Sequence, residues 1–267
     1  MKKLVTLEIK DYVASVRLNR PDKYNALSID MFRAIIEAGE TVKADASIRS
    51  VVLSGEGRGF CAGLDFESFM QMGSGQESAT DLLSRTEDNP ANYAQQTGYV
   101  WKQVPVPVIA ALHGVSYGGG LQIALGADIR LASQDARFSV MEIKWGLIPD
   151  MSITQTLKDL VRLDVAKELT FTGRIVNAEE ALRLGLITRI CEDPLAEAEK
   201  MAREIAGKSP DAISAGKQLW EKVGSCDTEE GLKLEERLQR TLIGGDNQIE
   251  AVKANFEKRP PVFKERS

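Results

Sequence analysis

The size, composition and charge of the chain exclude several classes of protein. Its 267 residues suffice for one large domain or a domain with an appendage, and 43% hydrophobic with 27% charged residues is typical of a globular protein. The formal net charge of −5 disfavours nonspecific binding to nucleic acid or anionic membranes. Charges interrupt the apolar residues of the N-terminus every few positions, unlike a signal peptide, and no apolar run approaches the roughly 20 residues of a membrane span. We therefore expect a cytoplasmic protein that binds neither nucleic acid nor membrane.

The first hundred or so residues are predicted to form strands, a helix after Ser28 and a helix that ends near Gln103. Residues 4–18 alternate apolar and polar side chains around Lys10-Asp11, which predicts two strands joined by a tight turn. Ser28 is placed to cap a helix, and a strand at 48–54 runs into a glycine-punctuated stretch. Residues 71–90 are polar and weakly periodic, which predicts a mobile loop or a marginal helix, with a surface loop favoured over a lid.

From about residue 106 onward the chain becomes progressively helical. Strands are predicted at 106–112 and 127–133, on either side of a helix that begins near Gly119, and a short strand near 188–190. Helices are predicted at 154–171, 178–184, 195–207, 209–223, 227–243 and 247–257. We therefore expect an α/β core domain over residues 1–195 and a helical region over 196–267 that serves oligomerisation and closure of the active site.

The cysteines and the histidine limit the available chemistry. Cys61, Cys191 and Cys226 are odd in number and far apart, which favours reduced structural thiols over disulfides or a zinc cluster, and we predict no metal site. His113 is the only histidine. Ser116 stands in a Gly-x-Ser-x-Gly pattern, which is typical of the catalytic serine of a hydrolase. His113 is only three residues from Ser116, however, and the sequence has no second histidine to complete a catalytic triad.

Two glycine clusters follow predicted strands, at 57–63 and 114–120. The first fits a loose dinucleotide fingerprint, but the required acid would fall in the polar loop 71–90, so nicotinamide or flavin binding is disfavoured and no cofactor is expected. Glycines at a strand-to-helix junction instead let backbone N–H groups approach a ligand, and two such groups can stabilise an oxyanion. Tight turns without function remain the alternative for any single glycine.

These segments resemble the crotonase family, the enoyl-CoA hydratase/isomerase superfamily. The matching stretches occur in the family's order and span nearly the whole chain: LNRPDKYNALS (18–28), GRGFCAGLDF (57–66), PVIAALHGVSYGGGLQIALGADIRLAS (107–133), ARFSVMEIKWGLIPD (136–150), LTFTGRIVNAEEALRLGLITRI (169–190) and FEKRPPVF (256–263). The resemblance implies a β-β-α superhelix with a helical C-terminal trimerisation region. It also implies a homotrimer or a dimer of trimers, and an acyl-CoA thioester as substrate, with coenzyme A as part of that substrate.

The same resemblance assigns roles to individual residues. It implies an oxyanion hole at the N–H groups of Leu64 and Gly119. The residues implied to contact CoA are Lys23, Tyr24, Ala62, Asp65 and Lys258. Lys258, or Arg259 beside it, is implied to reach a phosphate of the CoA bound to a neighbouring subunit. Two departures bear on CoA affinity: Glu67 replaces the family's usual lysine, and the C-terminal phenylalanine is shifted by one position.

The acids around the expected substrate decide between reactions. Family hydratases use two glutamates, whereas this chain carries Gln122 at the first position and Glu142 at the second. An amide cannot act as a general acid or base, so Gln122 is expected to orient substrate or water. Asp150 supplies a second acid, and the Glu142/Asp150 pair resembles that of dienoyl-CoA isomerases, although those usually carry aspartate where this chain has Gln122.

The leading prediction is therefore a Δ3,5-Δ2,4-dienoyl-CoA isomerase. Two alternatives stay open: a Δ3,Δ2-enoyl-CoA isomerase or hydratase-like enzyme that uses Glu142 alone, and a relative that binds acyl-CoA without turnover. Each of these residues also has a structural alternative: Asp150 as a helix cap ahead of Thr154, Glu142 as a surface acid, and Gln122 as a core amide bonded to backbone.

Overall fold

The computed structural model describes residues 3–65, 67, 82–85, 87 and 89–266. Most of the polar stretch 71–90 therefore lies outside the described residues. In chain order the strands are β1 (Val5–Lys10), β2 (Val13–Leu18), β3 (Ser50–Gly55), β4 (Val108–Leu112), β5 (Val115–Tyr117), β6 (Ile129–Ala132), β7 (Arg137–Ser139), β8 (Val176–Asn177) and β9 (Arg189–Ile190).

In the described residues, helices alternate with these strands and then make up most of the C-terminal region. They are α1 (Ile29–Ala44), α2 (Tyr93–Gln103), α3 (Gly119–Leu125), α4 (Ile153–Thr156), α5 (Leu163–Thr172), α6 (Ala178–Leu184), α7 (Pro194–Ala206), α8 (Pro210–Val223), α9 (Thr228–Leu242) and α10 (Asp246–Phe256). Short 3₁₀ turns lie at Pro21–Lys23, Glu142–Trp145 and Leu157–Asp159.

Two sheets organise the core. The six-stranded sheet has the order β1-β2-β3-β4-β6-β9 and is parallel except for the β1–β2 hairpin, which turns at Asp11 and Tyr12 with positive φ. A three-stranded sheet, β5-β7-β8, lies beside it. The mixed α/β class is confirmed, because strands and helices alternate through the first two-thirds of the chain.

Helices cover both faces of the larger sheet. On one face α1 packs with α2 around buried side chains such as Phe32, Ile35 and Trp101. On the other, Ala198, Ala202 and Ala206 of α7 lie on Val52, Ile109 and Leu131 of the strands. The first C-terminal helix is thus part of the core packing, and small alanines let it approach the sheet closely.

Several local predictions match the structure and one does not. Ser28 caps α1, because its Oγ accepts a hydrogen bond from the Met31 N–H at 3.3 Å. The single helix predicted over 154–171 is wrong: α4 ends at Thr156, a 3₁₀ turn follows, and α5 begins only at Leu163. Asp150 is not the cap of α4, since Ser152 holds that position with φ of 70°.

Candidate active site

Backbone pairing brings the two glycine clusters together. Cys61 forms a parallel bridge with Ser116 of β5, and Leu64 forms one with Leu27. Through these bridges the loop that follows β3 lies between the segment before α1 and the segment that leads into α3. The two glycine clusters therefore lie beside each other.

The Leu64 and Gly119 N–H groups lie where the two glycine clusters meet. Leu27 donates to the Gly63 carbonyl at 2.8 Å and accepts from the Asp65 N–H at 3.0 Å, so the N–H of Leu64 points away from Leu27. Gly119 is the first residue of α3, and its N–H has no acceptor within the helix. A methyl group on Gly63 would lie 3.6 Å from the Gly119 nitrogen, which places the two loops side by side.

Glycine is required at this junction for steric reasons. Gly63 has φ of +87°, and a Cβ there would lie 2.7 Å from the Tyr117 carbonyl oxygen. A Cβ on Gly120 would lie 2.3 Å from the Cys61 carbonyl oxygen, far inside van der Waals contact. The sequence analysis predicted that glycines here let the backbone approach a ligand. They also let the two glycine-rich loops approach each other.

A cavity of about 510 Å³ opens beside these two residues. Its described lining is apolar apart from two acids, Glu142 and Asp150, and it has no lysine, arginine or histidine. The apolar side chains come from distant parts of the chain, and include Leu27, Phe32, Leu82, Leu83, Ala94, Trp145, Leu147, Ile148 and Met151. Such a lining suits an uncharged organic group.

Glu142 stands at the start of a 3₁₀ turn that follows β7. Its Oε1 accepts a hydrogen bond from Gln122 Nε2 at 2.7 Å, while Oε2 is enclosed and has no hydrogen-bond partner among the described residues. Burial raises the pKa of Glu142 above its ordinary value; hydrogen bonds from its own backbone and from Gln122 lower it, and the charge of Asp150 raises it. An acid with a raised pKa and an unpaired oxygen is suited to proton transfer.

Asp150 lines the same cavity on the segment that precedes α4. Burial raises its pKa as well, against a smaller lowering by its own backbone N–H. The two carboxyl groups therefore share one largely apolar cavity, in which both residues are half-buried.

Gln122 lies in α3 and is 1% exposed. Its Nε2 donates to Glu142, and its Oε1 accepts from the Met151 N–H at 2.8 Å. Both polar ends of the amide are thus bonded to protein, and Gln122 is absent from the described lining of the cavity. The contacts are those of a core amide, and they differ from the substrate-facing position that the sequence suggested.

The four residues expected near CoA in the N-terminal part lie together at one side of the site. Ala62 donates its N–H to the Tyr24 carbonyl at 2.9 Å, which joins the two loops. The Asp65 carboxylate is 2.6 Å from the Arg20 guanidinium and is buried, while the Lys23 ammonium is 2.7 Å from Glu67. The substitution of Glu67 for lysine therefore adds an acid that pairs with Lys23.

Lys258 lies after α10, in the tail, with φ of 53°. It borders a groove formed with residues 207–209 and is not in the lining of the cavity that holds Glu142. Arg259 is engaged by Glu250 at 2.6 Å. Within one chain, Lys258 is the only predicted site residue that stands apart from the others.

The remaining candidates have structural contacts. Ser116 is fully buried, and the His113 ring nitrogen lies 3.0 Å from the Gly57 carbonyl oxygen. Burial raises the pKa of the Cys61 thiol to about 12, so it stays protonated. In the described part of the chain no three His, Cys, Asp or Glu side chains are grouped as metal ligands, and no helix is long and apolar enough to cross a membrane.

Comparison with known proteins places this arrangement in a family. The family model for enoyl-CoA hydratase/isomerase matches residues 8–266. The chain belongs to this family. The crotonase resemblance and the crotonase-like fold are thereby confirmed.

Individual relatives carry different activities in their names. The chain is 33% identical over 263 residues to (E)-benzylidenesuccinyl-CoA hydratase of Thauera aromatica, covering 97% of this chain and 98% of the relative. It is 31% identical over 272 residues to the mitochondrial Delta(3,5)-Delta(2,4)-dienoyl-CoA isomerase of Dictyostelium discoideum, covering 98% and 92%. The crystal structure of an enoyl-CoA hydratase from Bacillus anthracis superposes with a TM-score of 0.85 at 28% identity, covering 98% and 99% of the two chains.

Proposed function

We propose that this enoyl-CoA hydratase/isomerase family member is an acyl-CoA double-bond isomerase, specifically a Δ3,5-Δ2,4-dienoyl-CoA isomerase. The observation that carries the proposal is the pair of acids in one apolar cavity, Glu142 and Asp150, beside the amides of Leu64 and Gly119. Of the two glutamate positions of family hydratases, the first holds Gln122 in this chain, and an amide cannot exchange a proton.

The proposed reaction moves one proton along a conjugated chain. One carboxylate removes a proton from C2 of the 3,5-dienoyl thioester, and the electron pair delocalises onto the thioester oxygen. The Leu64 and Gly119 N–H groups stabilise this dienolate, a contribution of about 3–4 kcal/mol per donor. The other carboxyl group returns a proton at C6, which leaves a 2,4-diene and restores the total number of protons on the enzyme.

The raised pKa values of Glu142 and Asp150 support a mechanism in which one removes a proton and the other returns one. A carboxyl whose pKa lies nearer neutrality exchanges a proton with a weak carbon acid more readily than an exposed one does. Apart from the two acids the described lining is apolar, so it offers few groups that could hold a water molecule for addition to the double bond.

A second candidate is a Δ3,Δ2-enoyl-CoA isomerase that uses Glu142 alone. It is favoured by the hydrogen bonding of Glu142, whose Oε2 is buried at the cavity and has no hydrogen-bond partner among the described residues. Asp150→Asn separates the two candidates, because it abolishes dienoyl-CoA isomerisation and leaves a single-base isomerase active.

The testing experiment is a panel of acyl-CoA substrates scored for both hydration and isomerisation. It contains a 2-enoyl-CoA, a 3-enoyl-CoA, a 3,5-dienoyl-CoA and (E)-benzylidenesuccinyl-CoA. We expect growth of the 2,4-dienoyl absorbance with the 3,5-diene and no hydration of the 2-enoyl thioester. Rapid hydration would refute the proposal, and binding without solvent-deuterium exchange at the α-carbon would identify a non-catalytic acyl-CoA-binding protein.

CoA binding and assembly belong to the same proposal. Lys23, Tyr24, Ala62 and Asp65 form the side of the site where the nucleotide and pantetheine are expected, and Lys258 serves a neighbouring subunit. Exposed apolar side chains in the helical region, among them Trp220, Leu232 and Phe256, support assembly into a homotrimer or a dimer of trimers. Sedimentation of the purified protein tests the stoichiometry.

A further inference from the structure

One side chain joins the two segments that carry the acids. Gln122 Nε2 donates to Glu142 Oε1 at 2.7 Å, and Gln122 Oε1 accepts at 2.8 Å from the N–H of Met151, the residue that follows Asp150. The amide is 1% exposed, so no water competes for either hydrogen bond. The positions of both carboxyl groups therefore depend on one glutamine.

An amide is suited to this place in a way that other side chains of its size are not. It donates at one end and accepts at the other, and it does not titrate. A glutamate could accept from Met151, but it would face the Glu142 carboxylate and the two groups would have to share a proton. A methionine would fill the space and leave the Met151 N–H and Glu142 Oε1 without partners.

We propose that Gln122 is a positioning residue: it fixes Glu142 and the Asp150–Met151 backbone in one arrangement, and it leaves Glu142 a base that shares its proton with no other group. The inference rests on the proposed function, in which Glu142 is a base. It assigns Gln122 no contact with substrate, and so it replaces the substrate-orienting role that the sequence suggested.

The charged surroundings of Glu142 are simple enough for pH profiles to be informative. Of the described residues that line the cavity, only Glu142 and Asp150 ionise. The hydrogen bond from Gln122 lowers the pKa of Glu142, and the charge of Asp150 raises it. Loss of the amide donor should therefore move the acidic limb of kcat/KM to higher pH.

The chain offers a matched control in a second buried glutamine. Gln96 of α2 is 4% exposed, and its Nε2 donates to Glu40 Oε1 at 2.9 Å and to Gln103 Oε1 at 2.8 Å. It is absent from the described lining of the cavity. Gln96→Met thus removes a buried amide that bridges to a glutamate without touching the proposed site.

The test compares Gln122→Met, Gln122→Glu and Gln96→Met with the intact protein. The readouts are thermal unfolding, the rate of solvent-deuterium exchange at the α-carbon of the acyl-CoA substrate, its KM, and its pH profile. We expect both methionine variants to unfold at lower temperature, whereas only Gln122→Met loses about 10- to 100-fold in kcat, with KM little changed. In Gln122→Glu the acidic limb rises by about one pH unit or more, because two facing carboxyls share a proton.

Two results would overturn the inference. One is a Gln122→Met variant with wild-type kcat and pH profile; the other is equal loss of kcat in Gln122→Met and Gln96→Met, which would mark a purely structural role. Gln122→Glu keeps an acceptor for Met151, and its pH profile decides the question if the methionine variant does not fold. Glu142→Gln, assayed for overall isomerisation of a 3,5-dienoyl-CoA, separates the failures: isomerisation that survives this substitution refutes the proposed function itself.

Discussion

Replacing Glu142 with glutamine tests the proposed base at constant shape. The new amide oxygen can still accept from Gln122 Nε2, and the amide nitrogen takes the place of Oε2, which has no partner among the described residues. What is lost is the ability to accept a proton. General base catalysis contributes about 10²- to 10⁴-fold, so kcat should fall by that factor, or ~3–5.5 kcal/mol in activation free energy, with KM almost unchanged.

The same substitution should increase the stability of the protein at neutral pH. Burial raises the pKa of Glu142 above the ordinary value of 4.5, so between these two values the folded state holds a proton that the unfolded state has released. The wild-type protein therefore loses stability as pH rises through this window, and Glu142→Gln does not.

The assay pairs steady-state kinetics with urea unfolding at pH 5 and pH 8. We expect an inactive variant whose free energy of unfolding exceeds that of wild type by more at pH 8 than at pH 5. A variant that retains activity within a few-fold would refute the role of Glu142 as base. A stability difference that shrinks with rising pH would refute its burial as a carboxylate.

Three further predictions address the scaffold and the lining. Gly120→Ala should reduce both stability and activity, because its Cβ would lie 2.3 Å from the Cys61 carbonyl oxygen. The control Gly216→Ala has open space around its Cβ and should be neutral or stabilising. Equal melting temperatures of the two variants would contradict this prediction. Lys217→Met should cost ~3 kcal/mol or more in unfolding free energy. It removes the buried ammonium that pairs with Asp128 and donates to two backbone carbonyls, and the Val108 N–H that remains on Asp128 does not neutralise its charge. An acyl-CoA with a terminal carboxylate should bind at least about tenfold more weakly than its methyl ester, because the described lining of the cavity has no lysine, arginine or histidine to pair with the charge. Equal affinities measured by calorimetry would contradict this prediction.

Local sequence patterns predicted the elements that depend on neighbouring residues. The alternation over 4–18 gives β1 and β2, and the helix predicted at 178–184 coincides with α6 because Asn177 caps its start and Gly185 its end. Strands β5, β7 and β8 were not predicted. Each has only two or three residues, too few for alternation to be visible, and they form because the chain path brings them together.

The chemistry of the site was more predictable than its contacts. The glycine clusters follow from residue types and their spacing, whereas the Glu142/Asp150 pair was predicted from the resemblance to the enoyl-CoA hydratase/isomerase superfamily. The cavity walls from Phe32, Ala94 and Leu82 were missed because they come from elements far away in sequence. The bonding of Gln122 to Met151 was equally hidden, since no local pattern encodes a hydrogen bond between residues 29 positions apart.

The most direct test of the two-carboxylate account is the isomerisation of a 3,5-dienoyl-CoA followed by the absorbance of the 2,4-dienoyl product. Wild type, Glu142→Gln and Asp150→Asn are compared at equal concentrations of folded protein. The account predicts rapid growth of the absorbance with wild type and a loss of at least about 100-fold in each variant. Undiminished isomerisation by Asp150→Asn, or by Glu142→Gln, would contradict it.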